Sequence, residues 1–402
     1  MFLCFIILIL LNEKLDLNFN LERLIKMQYV FPNPKHLLIS SENNKINTSD
    51  YQDEQLHLLE RVFLNHNISC ECVNIIDSAN VILYDFELFN FGISFNKIKT
   101  LEKSLKMFLK SENVTIDFSK NNIGFIVSIP KENRKLITTG DCLCKIDFKQ
   151  KNSLIVPLGL DEYNNPVYIN INKMPHVLIS GTTGSGKSVC INNIIASLLF
   201  NSEPYSLQFI MIDPKQVELI YYNDLKGFMP IPVITNVYKA ATILYNITHK
   251  MDSIYKMIQS KKCRNIDEYN KISENKIPKT VIIIDELADL MIQNKKEIEP
   301  LLVRIAQLGR ACGIHLIVAT QRPSREVLTG LIKVNIPSKI CFKVPSSINS
   351  RVALDTSGAE KLLGNGDGLF LNSNGDSIVR FQSPFISTEE IEKTIKYINS
   401  QL

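Results

Sequence analysis

The segment Gly181-Thr-Thr-Gly-Ser-Gly-Lys187-Ser188 most constrains what this chain can become. It follows an apolar run ending His176-Val-Leu-Ile-Ser180 and precedes a helix-like run from Val189 to Phe200. Glycines at 181, 184 and 186 let the backbone turn tightly, so that successive amide N–H groups and a helix N-terminus converge on a polyphosphate. Lys187 neutralises that anion, and Ser188 links it to Mg²⁺. The spacing therefore predicts a nucleoside triphosphate, with ATP and Mg²⁺ as the expected ligands. Gly181, Thr182, Thr183, Gly184, Ser185, Gly186, Lys187, Ser188 and Val189 form the expected cradle. A flexible glycine turn is the bland alternative, and the flanking strand and helix argue against it.

A second element points to turnover. Pro278-Lys-Thr280 leads into Val281-Ile-Ile-Ile284, a β-branched run of the kind that forms buried parallel strands, and this run ends in Asp285-Glu286. An acid at the strand tip completes a Mg²⁺ shell, which makes Ser188 and Asp285 the expected metal ligands. Glu286 beside it can polarise the water that attacks a γ-phosphate. Two solvated acids at a strand end are the structural alternative.

Bulk properties exclude more than they select. At 402 residues and 45% hydrophobic content the chain is long enough for two or three domains with real cores, and too apolar to be disordered. The net charge of +4 permits nucleic-acid contact without demanding it. The distribution says more: of ten arginines, Arg304, Arg310, Arg322 and Arg325 fall within one short stretch of a chain that otherwise uses lysine. Planar guanidinium groups gathered this way suit phosphate contacts, and solvated helix ends are the alternative. Nine scattered cysteines without a secretory signal indicate a reducing cytosol rather than a disulfide framework. The pairs Cys70/Cys72 and Cys142/Cys144 would each share one strand face, but no neighbouring ligand completes a zinc set. Phe2 to Leu11 is apolar yet about half the length of a membrane span. The expected location is the cytoplasm, with membrane association through a partner or this apolar start as the alternative.

The chain divides by its patterning into a short apolar leader over 1–27, a small α+β module over 28–150 and an ATPase domain over 151–402. In the module, a polar loop over 42–55 precedes a helix from Leu56 to Phe63. Strands follow around 69–76 and 81–86, then a helix over 98–110 and strands around 114–118 and 125–129. On that helix Ile98, Leu101, Leu105 and Phe108 form one stripe, while Lys99, Lys103, Lys106 and Lys110 lie off it. The lysines read as a solvated face, with a nucleic-acid path as the alternative. Residues 130–175 read as a connection. Beyond them strands and helices alternate: strand 177–180, helix 187–200, strand 207–212, helix 238–259, strand 281–284, helix 298–312, strand 314–319. This is a parallel α/β sheet with ligands at the carboxyl ends of its strands. Another strand is expected over 339–344, and a hairpin over 369–381 turning at Asn374-Gly375.

Several segments together resemble the motor of the FtsK/SpoIIIE DNA translocases. They are Met174 to Ser188, Phe209-Ile-Met-Ile-Asp-Pro-Lys215, Ile284-Asp-Glu-Leu-Ala-Asp-Leu290, Gly313-Ile-His-Leu316, Ala319-Thr-Gln-Arg-Pro323, Gly330 to Pro337 and Leu363-Gly-Asn-Gly-Asp367. Ile123 to Pro130 and Val156 to Leu160 resemble that family's lead-in to the core, so the likeness runs over roughly 28–402. The resemblance implies a RecA-like P-loop NTPase core preceded by a small α+β domain, and a ring, usually hexameric, that moves along double-stranded DNA by hydrolysing ATP. It gives Lys187, Asp285 and Glu286 catalytic roles, makes Gln321 with Thr320 a γ-phosphate sensor, and makes Arg310 a finger reaching the neighbouring subunit. Arg322, Lys333 and Arg351 match pore-loop positions that touch the DNA backbone. Ser347 stands where family members commonly carry a lysine. Membrane spans ahead of the motor and a winged-helix module behind it, usual in the family, have no counterpart in this sequence, so a separate membrane anchor or division proteins become candidate partners. A protein-secretion ATPase of the same superfamily and a non-hydrolysing DNA-binding ring scaffold are the competing readings.

Overall fold

The computed structural model describes residues 29–402 apart from 41–48, 90–91, 120–122, 133, 146–152, 205 and 374–376. The apolar start and the Asn374-Gly375 turn lie outside the described residues.

A four-stranded antiparallel sheet forms the smaller layer, in the order β1-β2-β4-β3, from β1 (Cys70–Asp77), β2 (Val81–Leu88), β3 (Thr115–Phe118) and β4 (Gly124–Pro130). Helices α2 (Ser49–Asn65), α3 (Phe95–Thr100) and α4 (Glu102–Phe108) accompany it, after the short α1 (Pro34–Leu37). The rings of Phe63, Phe86 and Phe125 meet at centroid distances of 4.9 to 5.4 Å and anchor its core. Two details differ from the sequence reading. Helix α2 starts at Ser49, inside the segment read as loop, and the helix expected over 98–110 is two helices joined at Leu101. Ile98, Leu101 and Leu105 are buried as the stripe requires, whereas Phe108 is exposed. Lys99 pairs with Glu102 at 2.7 Å and Asp117 at 3.2 Å, so that lysine is tied within its own module.

The larger sheet has nine strands, ordered β6-β5-β13-β12-β11-β7-β10-β9-β8. Five are mutually parallel: β11 (Ser338–Phe342), β7 (His176–Ser180), β10 (Ile314–Thr320), β9 (Lys279–Ile284) and β8 (Leu207–Ile212). The other four continue it antiparallel: β12 (Asp367–Leu371), β13 (Ile378–Gln382), β5 (Ile155–Asp161) and β6 (Pro166–Asn170). Alternation along the parallel strands sorts the core into two layers. Val177, Ile179, Phe209, Met211, Val281 and Ile283 face α6 (Lys187–Asn201) and α12 (Thr388–Ser400). Leu178, Ile210, Ile212, Ile282 and Ile284 face α7 (Val237–Ser260) and α9 (Leu287–Leu308). The fold is therefore the expected α/β class, although its sheet is mixed rather than wholly parallel.

Residues 130–175 supply β5, β6 and the helix α5 (Thr139–Cys144) instead of serving only as a connection. The pair Cys142/Cys144 thus lies on a helix, not a strand; the pair Cys70/Cys72 does lie on β1. Helix α9 is kinked at Asn294, whose backbone is not helical, so Arg304 lies on a second segment that starts just past the kink, close to the expected start, with Pro300 in its early turns. Gly313 ends the following 3₁₀ turn, Gly309–Cys312, at φ +68°.

Gly159 makes the junction between β5 and β13 feasible. Its φ is +133°, and a Cβ there would stand 1.8 Å from the Gln382 carbonyl oxygen. Gly159→Ala is expected to lower unfolding free energy by about 3 kcal/mol or more, measured by urea titration.

Candidate functional site

The glycine loop leaves β7 at its carboxyl end and turns into α6. Gly184 and Gly186 have φ of +74° and +110°, conformations that L side chains rarely adopt. Three neighbouring loops hold it: Gly181 N–H donates to Thr320 O at 3.3 Å, Thr182 N–H to Lys343 O at 3.0 Å, and Gly366 N–H to Ser185 O at 2.8 Å. A Cβ on Gly186 would come within 2.7 Å of the Gly366 backbone, so only glycine allows the 364–366 loop to close on the cradle. The result is a cavity of about 530 Å³ lined by the cradle with Glu218, Gln321, Gln382, Leu136 and Phe385. Its backbone amides and helix terminus fit a polyphosphate, and its apolar mouth fits a base.

Lys187 Nζ donates to Asp285 Oδ1 at 2.7 Å and to the Asp285 carbonyl at 2.8 Å; both side chains are buried. Burial pushes the Asp285 carboxyl above its ordinary range, and Lys187 counteracts this only in part. Among the described residues Asp285 Oδ2 has no hydrogen-bond partner. An orphaned carboxylate oxygen beside the cradle is a fitting ligand for a hard cation, so Asp285 with Ser188 would hold Mg²⁺. Ser188 Oγ here donates to Glu218 Oε1 at 2.8 Å.

Glu286 lies one residue beyond and is also buried. Thr320 Oγ1 donates to its Oε1 at 2.7 Å, the Gln321 N–H reaches both oxygens at 3.2 to 3.3 Å, and Lys215 Nζ reaches Oε2 at 3.1 Å. Burial alone would raise this carboxyl, but the bonds from Thr320, Lys215 and Gln321 outweigh it and hold Glu286 below the usual glutamate range. It is an ionised carboxylate in a water-poor site. Gln321 also accepts from Thr183 Oγ1 at 3.0 Å, which ties the expected sensor to the cradle.

Lys215 and Glu218 were not picked out in the sequence, and Asp213 positions both. This buried aspartate at the tip of β8 accepts five backbone N–H bonds, from Lys215 and Gln216 on Oδ1 and from Val217, Glu218 and Leu219 on Oδ2, at 3.0 to 3.1 Å. Asp-Pro-Lys after an apolar strand was the available signal; its folding back onto Glu286 is a tertiary fact.

The other expected residues fall into two places. Arg322 follows Gln321, and its N–H donates to Thr320 Oγ1 at 3.1 Å, so one hydroxyl bridges Glu286 and the Arg322 loop. Asn349 Nδ2 donates to Pro323 O at 3.1 Å and joins that loop to α11 (Ser347–Leu354), which carries exposed Arg351. Lys333, on α10 (Gly330–Asn335), is ion-paired with Asp355, as is Lys339. The structure thus links the elements bearing Arg322, Lys333 and Arg351. Arg310 is elsewhere: it sits in the 3₁₀ turn before β10, at the amino end of the strands, exposed and remote from the cradle at their carboxyl ends.

Fold and site together define a P-loop nucleotide-binding module. The FtsK/SpoIIIE family model matches residues 147–325, and the FtsK alpha domain model matches 31–130. The chain belongs to the FtsK/SpoIIIE family. It is 39% identical over 383 residues to the DNA translocase SftA of Bacillus subtilis (strain 168), covering 93% of this chain and 40% of that protein. To the DNA translocase FtsK of Staphylococcus aureus (strain Mu50 / ATCC 700699) it is 37% identical over 388 residues, covering 93% and 48%. The chain thus spans about half the length of the curated relatives it matches, or less. Its fold is similar to that of the pCW3 conjugation coupling protein TcpA, at TM-score 0.61 and 24% identity over 86% of this chain and 99% of that one. The Thermomonospora curvata type VII secretion ATPase EccC matches at TM-score 0.56 and 24% identity, over 64% and 33%. Among the described residues no helix is long and apolar enough to cross a membrane.

Gly186→Ala is expected to weaken binding of a fluorescent ATP analogue by about tenfold or more, because the strained φ and the clash with Gly366 both open the cradle. Fluorescence titration of folded variant against parent checks this.

Proposed function

We propose that this chain is the ATP-hydrolysing motor of a ring-forming double-stranded DNA translocase, acting in chromosome segregation or division. The observation that carries the reading is the ionised, buried Glu286, joined through the Thr320 hydroxyl to the loop that bears Arg322. Glu286 orients the attacking water and accepts its proton. Lys187 neutralises the γ-phosphate, and Gln321 reports its presence. Ser188 and Asp285 would hold Mg²⁺, which would supply charge neutralisation of the polyphosphate.

Hydrolysis changes what Glu286 and Gln321 contact, and Arg322 is the next residue after Gln321. The DNA-facing surface proposed for Arg322, Lys333 and Arg351 contacts phosphates rather than bases, as a motor indifferent to sequence requires. That the SftA and FtsK relatives are DNA translocases supports the same substrate. The seven residues of β10 place about 20 Å between its two ends. Arg310 therefore serves the cradle of a neighbouring copy, which supports a head-to-tail ring, with the hexamer that the family resemblance implies as the proposed assembly.

Steady-state ATP turnover should rise on adding long linear duplex, weaken with salt, and vanish in Glu286→Gln. Arg310→Ala should bind nucleotide normally and lose about 10³-fold in turnover. A folded, ATP-binding protein indifferent to duplex would favour a polypeptide cargo, as in a secretion ATPase. A folded protein that binds ATP and duplex without turnover would favour the ring scaffold.

Asp355 sets the availability of Lys333. Burial alone would raise its carboxyl, but Lys333 and Lys339 reverse this and hold it below the usual aspartate range. The pairing therefore persists as pH falls through that range and is lost only on acidification below it. Asp355→Asn should free Lys333 for phosphate, tighten duplex binding several-fold at low salt and steepen the salt dependence, read by fluorescence anisotropy.

A further inference from the structure

A second cavity, also of about 530 Å³, opens at the amino ends of β9 and β10, away from the glycine loop. Arg310 lines it, together with Arg264, Lys279, Asp267 and His315. Its charges are unequally committed. Lys279 pairs with Asp267 at 2.8 Å and donates to Asn172 at 2.8 Å, so the acid and that lysine satisfy each other. Among the described residues the guanidinium groups of Arg264 and Arg310 have no hydrogen-bond or ion-pair partner. His315 is 1% exposed, and among the described residues neither ring nitrogen makes a hydrogen bond of ordinary geometry, although the Pro175 backbone lies near enough to interact with it weakly. Burial, with His176, Lys279 and Arg310 nearby, depresses it to about 3, so it is a neutral imidazole with an N–H to give. Buried polar nitrogens left unpaired are costly unless a ligand completes them.

Arg264 is also held in readiness. It lies between α7 and α8 (Ile266–Ile272), where its own N–H donates to Glu268 Oε2 at 2.8 Å while Asn265 Oδ1 accepts from the Glu268 N–H at 3.0 Å. That reciprocal cap fixes the backbone of an arginine whose side chain is exposed. Two free guanidinium groups and an unpartnered imidazole around one polar cavity recognise a multiply charged oxyanion with planar, directed donors.

We infer that this cavity is the second half of the nucleotide site, in which Arg264 joins Arg310 on the phosphates of a nucleotide held by a neighbouring copy, with His315 donating from the floor. The inference rests on the ring reading above and adds Arg264 as a catalytic residue supplied in trans. Two guanidinium groups can divide the work, one on the γ-phosphoryl oxygens and one on the charge that develops towards the β-phosphate as the bridging bond breaks. Both lie at the opposite end of the sheet from their own glycine loop, so neither completes a site within one chain.

The test uses the full chain with duplex DNA. Arg264→Ala should lower kcat about 10²-fold with KM for ATP within twofold, and binding of a fluorescent ADP analogue should not change. ADP with aluminium fluoride, which parent rings should retain, should be released. Mixing Arg264→Ala with Lys187→Ala subunits, each inactive alone, should restore turnover at interfaces where an intact cradle meets an intact Arg264. Arg310→Ala mixed the same way separates the two readings. If the Arg310 mixture recovers and Arg264→Ala turns over like the parent, the assignment of Arg264 is overturned and the ring stands. If neither mixture recovers, the trans arrangement itself is overturned. Loss of activity in Arg264→Ala that Lys187→Ala subunits cannot restore also overturns the assignment, because it places Arg264 within its own chain.

Discussion

The buried pair between Lys187 and Asp285 is the interaction around which this molecule is arranged. Neither charge could remain in so dry a place alone, since breaking a buried pair leaves an uncompensated charge and costs about 3–5 kcal/mol. The two residues come from different elements: Lys187 opens α6, and Asp285 ends β9, which lies two strands from β7 with β10 between. Holding them at 2.7 Å requires parallel strands in register and a glycine loop that turns tightly enough to start its helix there. The pair also presents the chemistry with a neutral resting state. A triphosphate and its cation would replace both partners at once, the anion taking Lys187 and the cation taking Asp285, so ligand binding exchanges one satisfied arrangement for another.

The same reasoning extends outward by one layer. Glu286 is kept ionised by three donors from two other segments, and two of these, Thr320 and Gln321, stand at the end of β10. The third, Lys215, arrives on a loop with no regular structure of its own, held by five amides converging on Asp213. A carboxylate that accepts this many N–H groups substitutes for a helix terminus in organising a turn. Asp213 therefore acts on the site through Lys215 and Glu218, not through any substrate contact of its own.

The cradle and the acidic strand tip were legible in the sequence because each is local. A glycine spacing and a β-branched run ending in two acids carry their chemistry within a few residues, and strand alternation placed them at one sheet edge. Half of the antiparallel extension was legible, since the hairpin expected over 369–381 is the β12–β13 pair; the other half was not, because β5 and β6 come from a stretch whose Pro, Asn and Lys content reads as linker and become sheet by pairing with each other and with β13. Only the second half of helix α9 was legible, because the kink at non-helical Asn294 separates it from the first turns, while packing on both sides of the kink buries Leu290, Ile298 and Leu302. Lys215 on Glu286, and Asp355 on Lys333, are long-range pairings that no spacing rule anticipates.

Polarity of the sheet gives the proposed motor its logic. In a parallel α/β layer every strand tip of one kind faces the same way, so a nucleotide cradle at the carboxyl ends leaves the amino ends as a separate surface. Here that surface holds uncommitted guanidinium groups and a buried neutral imidazole, while the carboxyl-end surface holds an acid with an orphaned oxygen and a cradle of donors. Two such faces complement one another rather than themselves, which disfavours a two-fold dimer and favours head-to-tail stacking that closes on itself. In that arrangement each nucleotide lies between two copies. In that proposed ring, hydrolysis would alter the Thr320–Gln321 tip of one copy and the Arg310 turn of the next, which lie at opposite ends of β10. A strand that carries the proposed sensor at one end and the proposed finger at the other would link consecutive sites around the proposed ring through rigid sheet.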